Sequence, residues 1–329
     1  MANGEVSLAD GSDTGVLTAS AIDKLVAEGN ATQSRAKVTI YGVYVSDVID
    51  ITRHLSALVG LRLDNYSGGS MYATEEVKDQ LSFSQKLGLV FQPLPDRLSL
   101  FANYMNGFTN NDPVSVYDKD GKFVKTKVLD PEHANQWEAG VKANLWDERL
   151  TLTASYYDIR VGNRSMTDPN NPLNTIQGGV ERSKGVELSL TANPLTGLNI
   201  IMGYSYNDNK ITKDAADGDY LGRRSESAGP AHMFNLWASY RFFTGALKGW
   251  SVGLGGNAAS ENKILNRRST GTFALPGYVV VNGLLSYTGD RYTISLKADN
   301  LLNKKYYNGW STVSPQRLFN VSIGAEYRF

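Results

Sequence analysis

Along most of the chain, apolar and polar residues alternate with a period of two, the spacing of a strand and not of a helix. Leu55, Ala57, Val59, Leu61 and Leu63 alternate with Ser56, Gly60, Arg62 and Asp64, with Leu58 as the one intruder. Trp137, Ala139, Val141, Ala143 and Leu145 alternate with Glu138, Gly140, Lys142 and Asn144. Val186, Leu188, Leu190 and Ala192 do so with Glu187, Ser189, Thr191 and Asn193, and Tyr292, Ile294, Leu296 and Ala298 with Arg291, Thr293, Ser295, Lys297 and Asp299. At the C-terminus Val321, Ile323, Ala325, Tyr327 and Phe329 oppose Ser322, Gly324, Glu326 and Arg328. A strand with one lipid-compatible face and one strongly polar face suits the wall of a transmembrane β-barrel.

The pattern predicts about thirteen such strands, over 37–51, 54–67, 80–94, 97–109, 135–146, 149–162, 179–193, 198–211, 232–243, 250–259, 276–288, 291–302 and 317–329. The first is ambiguous, because both of its faces carry apolar residues. Most are far longer than the roughly 5–6 residues usual in soluble sheets. Short links at 52–53, 95–96, 147–148, 194–197, 244–249 and 289–290 alternate with long polar links at about 68–79, 110–134, 163–178, 212–231, 260–275 and 303–316. Tight periplasmic turns and long extracellular loops give this alternation.

If Phe329 ends at the periplasm, the first strand descends into its turn and residues 1–36 belong to a large extracellular loop. Within it, Ser20 and Asp23 suit a capping box, Ile22, Leu25 and Val26 share a face, and Gly29 can end a short helix. The first and last strands both descend, so an all-antiparallel barrel cannot close between them, and part of a barrel is expected. The opening residues MANGEVSLADGSDTG lack the basic and apolar regions of a signal peptide, which also points to a fragment.

Composition matters mainly for what it excludes. Lys plus Arg and Asp plus Glu each number 33, so a net charge of zero gives no reason to expect a nucleic-acid partner. With no cysteine, disulfides and thiolate zinc sites are impossible. His54, His133 and His232 are too dispersed in sequence for a compact metal site. Asp118–Gly121 and 214–219 lack the spacing and closing Glu of a calcium loop. Neither a resident metal nor a cofactor is expected. No nucleophile elbow, phosphate loop or dinucleotide fingerprint is present, so the chain does not read as an enzyme. Glu138, Glu187 and Asp299, with Arg62, Lys142, Lys297 and Arg328, read as a charged inner wall.

An alternating strand that closes on an aromatic is similar to the last strand of bacterial outer-membrane barrels. There the terminal aromatic belongs to the signal read by the barrel-assembly machinery, a role that would fall to Tyr327 and Phe329. Three stretches resemble the barrel of TonB-dependent outer-membrane receptors, the ferric-siderophore branch in particular. They are 129–149 (LDPEHANQWEAGVKANLWDER), 182–211 (RSKGVELSLTANPLTGLNIIMGYSYNDNKI), and 275–329 with PGY, NLLNKKYY and SPQRLFNVSIGAEYRF. The likeness covers about residues 35–329.

The resemblance implies an all-β, antiparallel transmembrane barrel, here partial at about 13 of 22 strands and without the plug domain. Residues 37–329 would form the C-terminal part of that barrel. It further implies TonB-dependent uptake of a ferric siderophore across the bacterial outer membrane, with iron present only as part of the cargo. Implied partners are the chelate, outer-membrane lipids, the barrel-assembly machinery and TonB-ExbB-ExbD acting through the plug. Two other readings stay open: a receptor of the same superfamily for haem, cobalamin or a glycan, and a passive porin-like barrel. Ligand-binding candidates in the long loops are Tyr117, Phe123, Tyr220, Arg223, Arg224, Arg267, Arg268 and Trp310. Paired arginines suit the anionic oxygens of a chelate.

Overall fold

A computed structural model of the chain describes residues 38–68, 77–111, 113–215, 218–309 and 312–329. The expected helix and loop within residues 1–36, and the candidate Trp310, lie outside them. The strands are β1 (Val38–Thr52), β2 (Leu55–Gly68), β3 (Val77–Leu94), β4 (Leu98–Thr109), β5 (Val114–Tyr117), β6 (Phe123–Lys127), β7 (Glu132–Leu145), β8 (Leu150–Asp168), β9 (Asn171–Ala192) and β10 (Leu198–Lys213). There follow β11 (His232–Arg241), β12 (Trp250–Ala259), β13 (Asn262–Arg267), β14 (Gly271–Leu275), β15 (Tyr278–Thr288), β16 (Tyr292–Asp299), β17 (Tyr307–Gly309), β18 (Val313–Pro315) and β19 (Asn320–Tyr327).

Thirteen of them form a single sheet in chain order, β1-β2-β3-β4-β7-β8-β9-β10-β11-β12-β15-β16-β19. Each pairs antiparallel with its neighbour. Among the described residues β1 and β19 are the two edges, so the barrel does not close.

The register carries the period-two pattern across the whole sheet. Leu55 faces Phe91, Phe91 faces Leu100, Leu100 faces Val141, Val141 faces Ala154, and Ala154 faces Leu188. The same face continues through Tyr204 and Phe234 to β12, and reaches Leu285, Leu296 and Ile323. Arg62, Lys142, Glu187 and Lys297 occupy the opposite face. For the ambiguous β1, Val43 and Val45 pair with Leu63 and Leu61 on the apolar face, while Asp47 joins them opposite Val59. Apolar side chains stay exposed along the apolar face, Ile323 at 78% and Leu254 at 59%, as expected of a surface meant for lipid.

Aromatic rings edge this face at the short-turn end. Trp250 lies 5.4 Å from Tyr287, Tyr287 lies 5.9 Å from Tyr292, and Tyr327 lies 5.2 Å from Phe329. Tyr292 and Tyr327 are cross-strand partners, so the chain of rings is continuous. Near the long-link end, Tyr104 packs on Trp137 at 4.7 Å and Tyr206 on His232 at 4.8 Å. These are the two interfacial girdles of a membrane barrel.

The short turns use left-handed backbone. Gly249 has φ 88°, and a Cβ there would meet Thr288 O at 2.7 Å. Between β7 and β8, Trp146, Asp147 and Glu148 all take positive φ, at 52°, 52° and 65°.

The long links are more ordered than the sequence suggests. The 163–178 segment, expected as a loop, is strand: β8 and β9 run on to Asp168 and Asn171 and turn over two residues. Small ribbons β5–β6, β13–β14 and β17–β18 fill three other links. Beyond the lipid both faces of a strand meet water, so the apolar–polar contrast disappears while backbone pairing continues.

Candidate ligand-binding site in the long loops

The loop candidates fall into two separate groups. Tyr117 and Phe123 are a pair across the β5–β6 ribbon, with an edge-to-face contact at 6.3 Å. The ribbon leans on the β8–β9 hairpin, where Tyr117 N donates to Asn174 Oδ1 at 2.7 Å and Asn171 Nδ2 donates to Tyr117 O at 3.0 Å. Asp118, in the calcium-like run, uses its Oδ1 to accept from the backbone N–H of Asp120 and of Lys122. It is the turn residue of the ribbon, an Asx turn.

The second group brings Tyr220, Arg223, Arg224, Arg267 and Arg268 together. The link after β10 is clasped to the β13–β14 ribbon by two acids: Asp219, the end of the calcium-like run, and Glu226, which the sequence reading passed over. Asp219 accepts from Ser269 N and Ser269 Oγ, both at 2.7 Å. Glu226 accepts from Asn266 N and Arg267 Nε, both at 3.0 Å. The only sequence signal for them is the need of two adjacent arginines for acidic partners.

The hydrogen bonds of Ser269 hold the Asp219 carboxyl below its ordinary range. Burial pushes Glu226 up, yet the hydrogen bonds from Arg267 and Asn266 outweigh it and leave that carboxyl lowered as well. Arg267, raised by its hydrogen bond to Glu226, also lies over the Tyr220 ring at 5.4 Å.

The other arginines are held by neighbouring loop atoms. Arg224 is the anchor of the link: Nη1 donates to Asn207 O at 2.7 Å, Nε to Gly229 O at 3.0 Å, and Nη2 reaches Asn207 Oδ1, Pro230 O and Ala228 O. Burial lowers its pKa. Arg223 Nη1 donates to Asn266 Oδ1 at 3.0 Å, and Arg268 Nη2 to Leu221 O at 3.2 Å. Each of these two donates from a single guanidinium nitrogen into a neighbouring loop segment.

What remains open is a cleft of about 560 Å³ between the tip of the β8–β9 hairpin and this clasp. Of the candidates, Tyr220 and Arg267 line it, beside Arg164, Asp168, Lys213 and Asp214. Arg164 is ion-paired with Glu181, whereas Lys213 has no ion pair among the described residues. The walls thus offer an aromatic face, a guanidinium stacked on it and paired with Glu226, a free ammonium, and the carboxylates of Asp168, Asp214, Asp219 and Glu226. That mixed-charge set can hold a polar molecule. At the opposite end of the sheet, Tyr327 and the fully exposed Phe329 sit on the aromatic rim.

Comparison with known proteins agrees with this architecture. The family model described as TonB dependent receptor-like, beta-barrel, matches residues 6–301. The metal-pseudopaline receptor of Pseudomonas aeruginosa is 27% identical over 315 residues, covering 91% of this chain and 42% of that protein. The ferrichrome outer membrane transporter/phage receptor of Escherichia coli is 28% identical over 272 residues, 80% of this chain and 34% of that protein. The crystal structure of the ferripyoverdine receptor of P. aeruginosa superposes with a TM-score of 0.74 at 23% identity, covering 91% of this chain and 40% of that one. The chain therefore spans less than half the length of these relatives. A match over most of its residues, on a sheet with lipid and lumen faces, makes the chain a member of the TonB-dependent receptor β-barrel family.

Proposed function

We propose that the chain is the C-terminal wall of an outer-membrane receptor that imports a ferric siderophore. Energy would come from TonB-ExbB-ExbD through a plug, and residues 1–36 would be part of an extracellular loop. The chain acts by binding and passage, with no catalytic step. The observation that carries this reading is the loop cleft in which Arg267 stacks on Tyr220 beside the free Lys213. A polar metal chelate that presents a planar or aromatic group to Tyr220 and an anionic group to Lys213 suits those contacts. The names of the relatives, receptors for metal-pseudopaline and ferrichrome, favour a metal chelate over haem, cobalamin or a glycan.

The test uses the full-length gene. Its deletion should abolish growth on one ferric siderophore as iron source, and restoration with Tyr220→Ala and Lys213→Ala together should weaken binding of that chelate about tenfold or more. Unchanged growth on every ferric chelate, with lost use of haem, cobalamin or a glycan, would overturn the iron assignment.

A further inference from the structure

The charges around the loop cleft do not balance. Among its lining residues, Arg164 is neutralised by Glu181 and Arg267 by Glu226. Lys213 is then the free cation, against the carboxylates of Asp168, Asp214 and Asp219, none of which has an ion pair among the described residues. One ammonium against three carboxylates leaves a formal charge of −2. Ser269 occupies both oxygens of Asp219, so that acid is committed to the clasp. Asp168 and Asp214 are left for whatever fills the cleft.

The free charges stand at different depths. Lys213 pairs with Val180, and a Cβ on Gly178 would come 3.7 Å from its Nζ, which puts the ammonium at the foot of the projecting hairpin. Arg164, paired with Gly179, is level with that foot, whereas Asp168 pairs with Asn171 at the turn. From Arg164 to Asp168 is roughly 13 Å of extended strand, so the ammonium lies at the base of the cleft and Asp168 at its mouth. Asp168 Oδ1 accepts from Asn170 N at 2.9 Å and closes the turn, while Oδ2 has no partner among the described residues. On the clasp side, Asp214 Oδ1 and Oδ2 accept one backbone N–H each, from Ala215 and Tyr220, both at 2.9 Å. Met166, Val180 and Ile211 add apolar surface to the lining.

A wholly anionic chelate would enter against uncompensated carboxylates, and covering them without a cation leaves buried charge unpaired. A chelate that joins an oxygen-rich head to one basic arm satisfies both ends of the cleft. We propose, resting on the ferric-chelate reading above, that the cleft selects ferric chelates carrying a free ammonium or guanidinium arm. The head lies against Lys213 and Tyr220, and the arm ends at Asp168. Asp168 is thus a specificity-determining residue, reading a part of the cargo remote from the metal.

The test measures binding of two probes to the full-length receptor in detergent. One is ferrioxamine B, a ferric trihydroxamate whose pentyl arm ends in a free ammonium; the other is the same chelate N-acetylated at that nitrogen. The free-amine form should bind about tenfold more tightly. Asp168→Asn, which keeps an acceptor for Asn170 N and loses the charge, should shrink that difference to about twofold or less. Equal affinity for the two forms, binding of neither, or an undiminished preference in Asp168→Asn would each overturn the proposal. After any of these, a growth requirement for some ferric chelate would still stand, so the ferric-chelate reading falls only by the deletion test.

Discussion

Tyr157 lies across Gly185, its cross-strand partner, and its hydroxyl accepts a hydrogen bond from Asn207 Nδ2 at 2.8 Å. The glycine is the space in which the ring lies. A Cβ at 185 would come 2.7 Å from the Tyr157 hydroxyl and 2.0 Å from the backbone carbonyl of Tyr206. The backbone atom cannot move aside without breaking the β9–β10 ladder. Gly185→Val should therefore cost about 3 kcal/mol or more. A drop in the temperature at which the barrel loses heat-modifiable mobility would measure it, and Gly107→Val, where nothing lies within 4 Å, is the control.

Asn207 connects that contact to the loops, because Arg224 donates to both its backbone and side-chain oxygens. Arg224→Ala leaves five acceptors without their donor and should detach the 214–231 link. A loss of roughly 3 kcal/mol is expected, concentrated in the loop. Limited proteolysis should cut the variant between Asp214 and Ala231 while the barrel strands stay protected. Arg223→Ala, which removes far fewer contacts, should stay intact.

The clasp responds to pH with a definite sign. Asp219 and Glu226 titrate lower in the folded loop than when released, so the released state takes up protons first. Their contribution is complete above the ordinary carboxylate range near 4 and is lost as pH falls through the lowered values. Spin labels at Leu221 and Thr270 should keep one distance from about pH 8 to pH 5 and separate below about pH 4. Asp219→Asn with Glu226→Gln should show the wide distance already at neutral pH.

At the rim, Phe329 and Tyr327 end the aromatic series that starts at Trp250. Phe329 has no other ring neighbour among the described contacts, so its loss removes little packing. If its role is recognition during assembly, Phe329→Ala in the full-length protein should lower the amount inserted in the outer membrane several-fold. The melting behaviour of what is inserted should stay unchanged. Tyr292→Ala, in mid-series, should instead lower that melting point.

The strands were legible because lipid on one side and water on the other force a contrast that period two displays. Ile294, Leu296 and Lys297 announce their faces without any tertiary information. Above the membrane the contrast disappears, and with it the signal for the β8–β9 extension at Met166 or the small ribbon around Phe273. Arg224 and Arg267 look identical in sequence as members of arginine pairs. One is fixed by carbonyls of its own link and the other by Glu226 and the Tyr220 ring, contacts that only folding decides.

The three consecutive left-handed residues between β7 and β8 bear on the order of events during folding. Each L-residue in that conformation costs about 1–2 kcal/mol, so Trp146, Asp147 and Glu148 cannot bend the chain back unaided. The hairpin must wait until its arms are brought together by their pairing with β4 and β9, which makes this turn a late step and a poor nucleus. Asp147→Gly would relieve one strained position. Because the turn forms late, the variant should unfold more slowly, while its refolding rate from urea into detergent micelles stays nearly unchanged; a clearly faster refolding would place the turn in the nucleus instead.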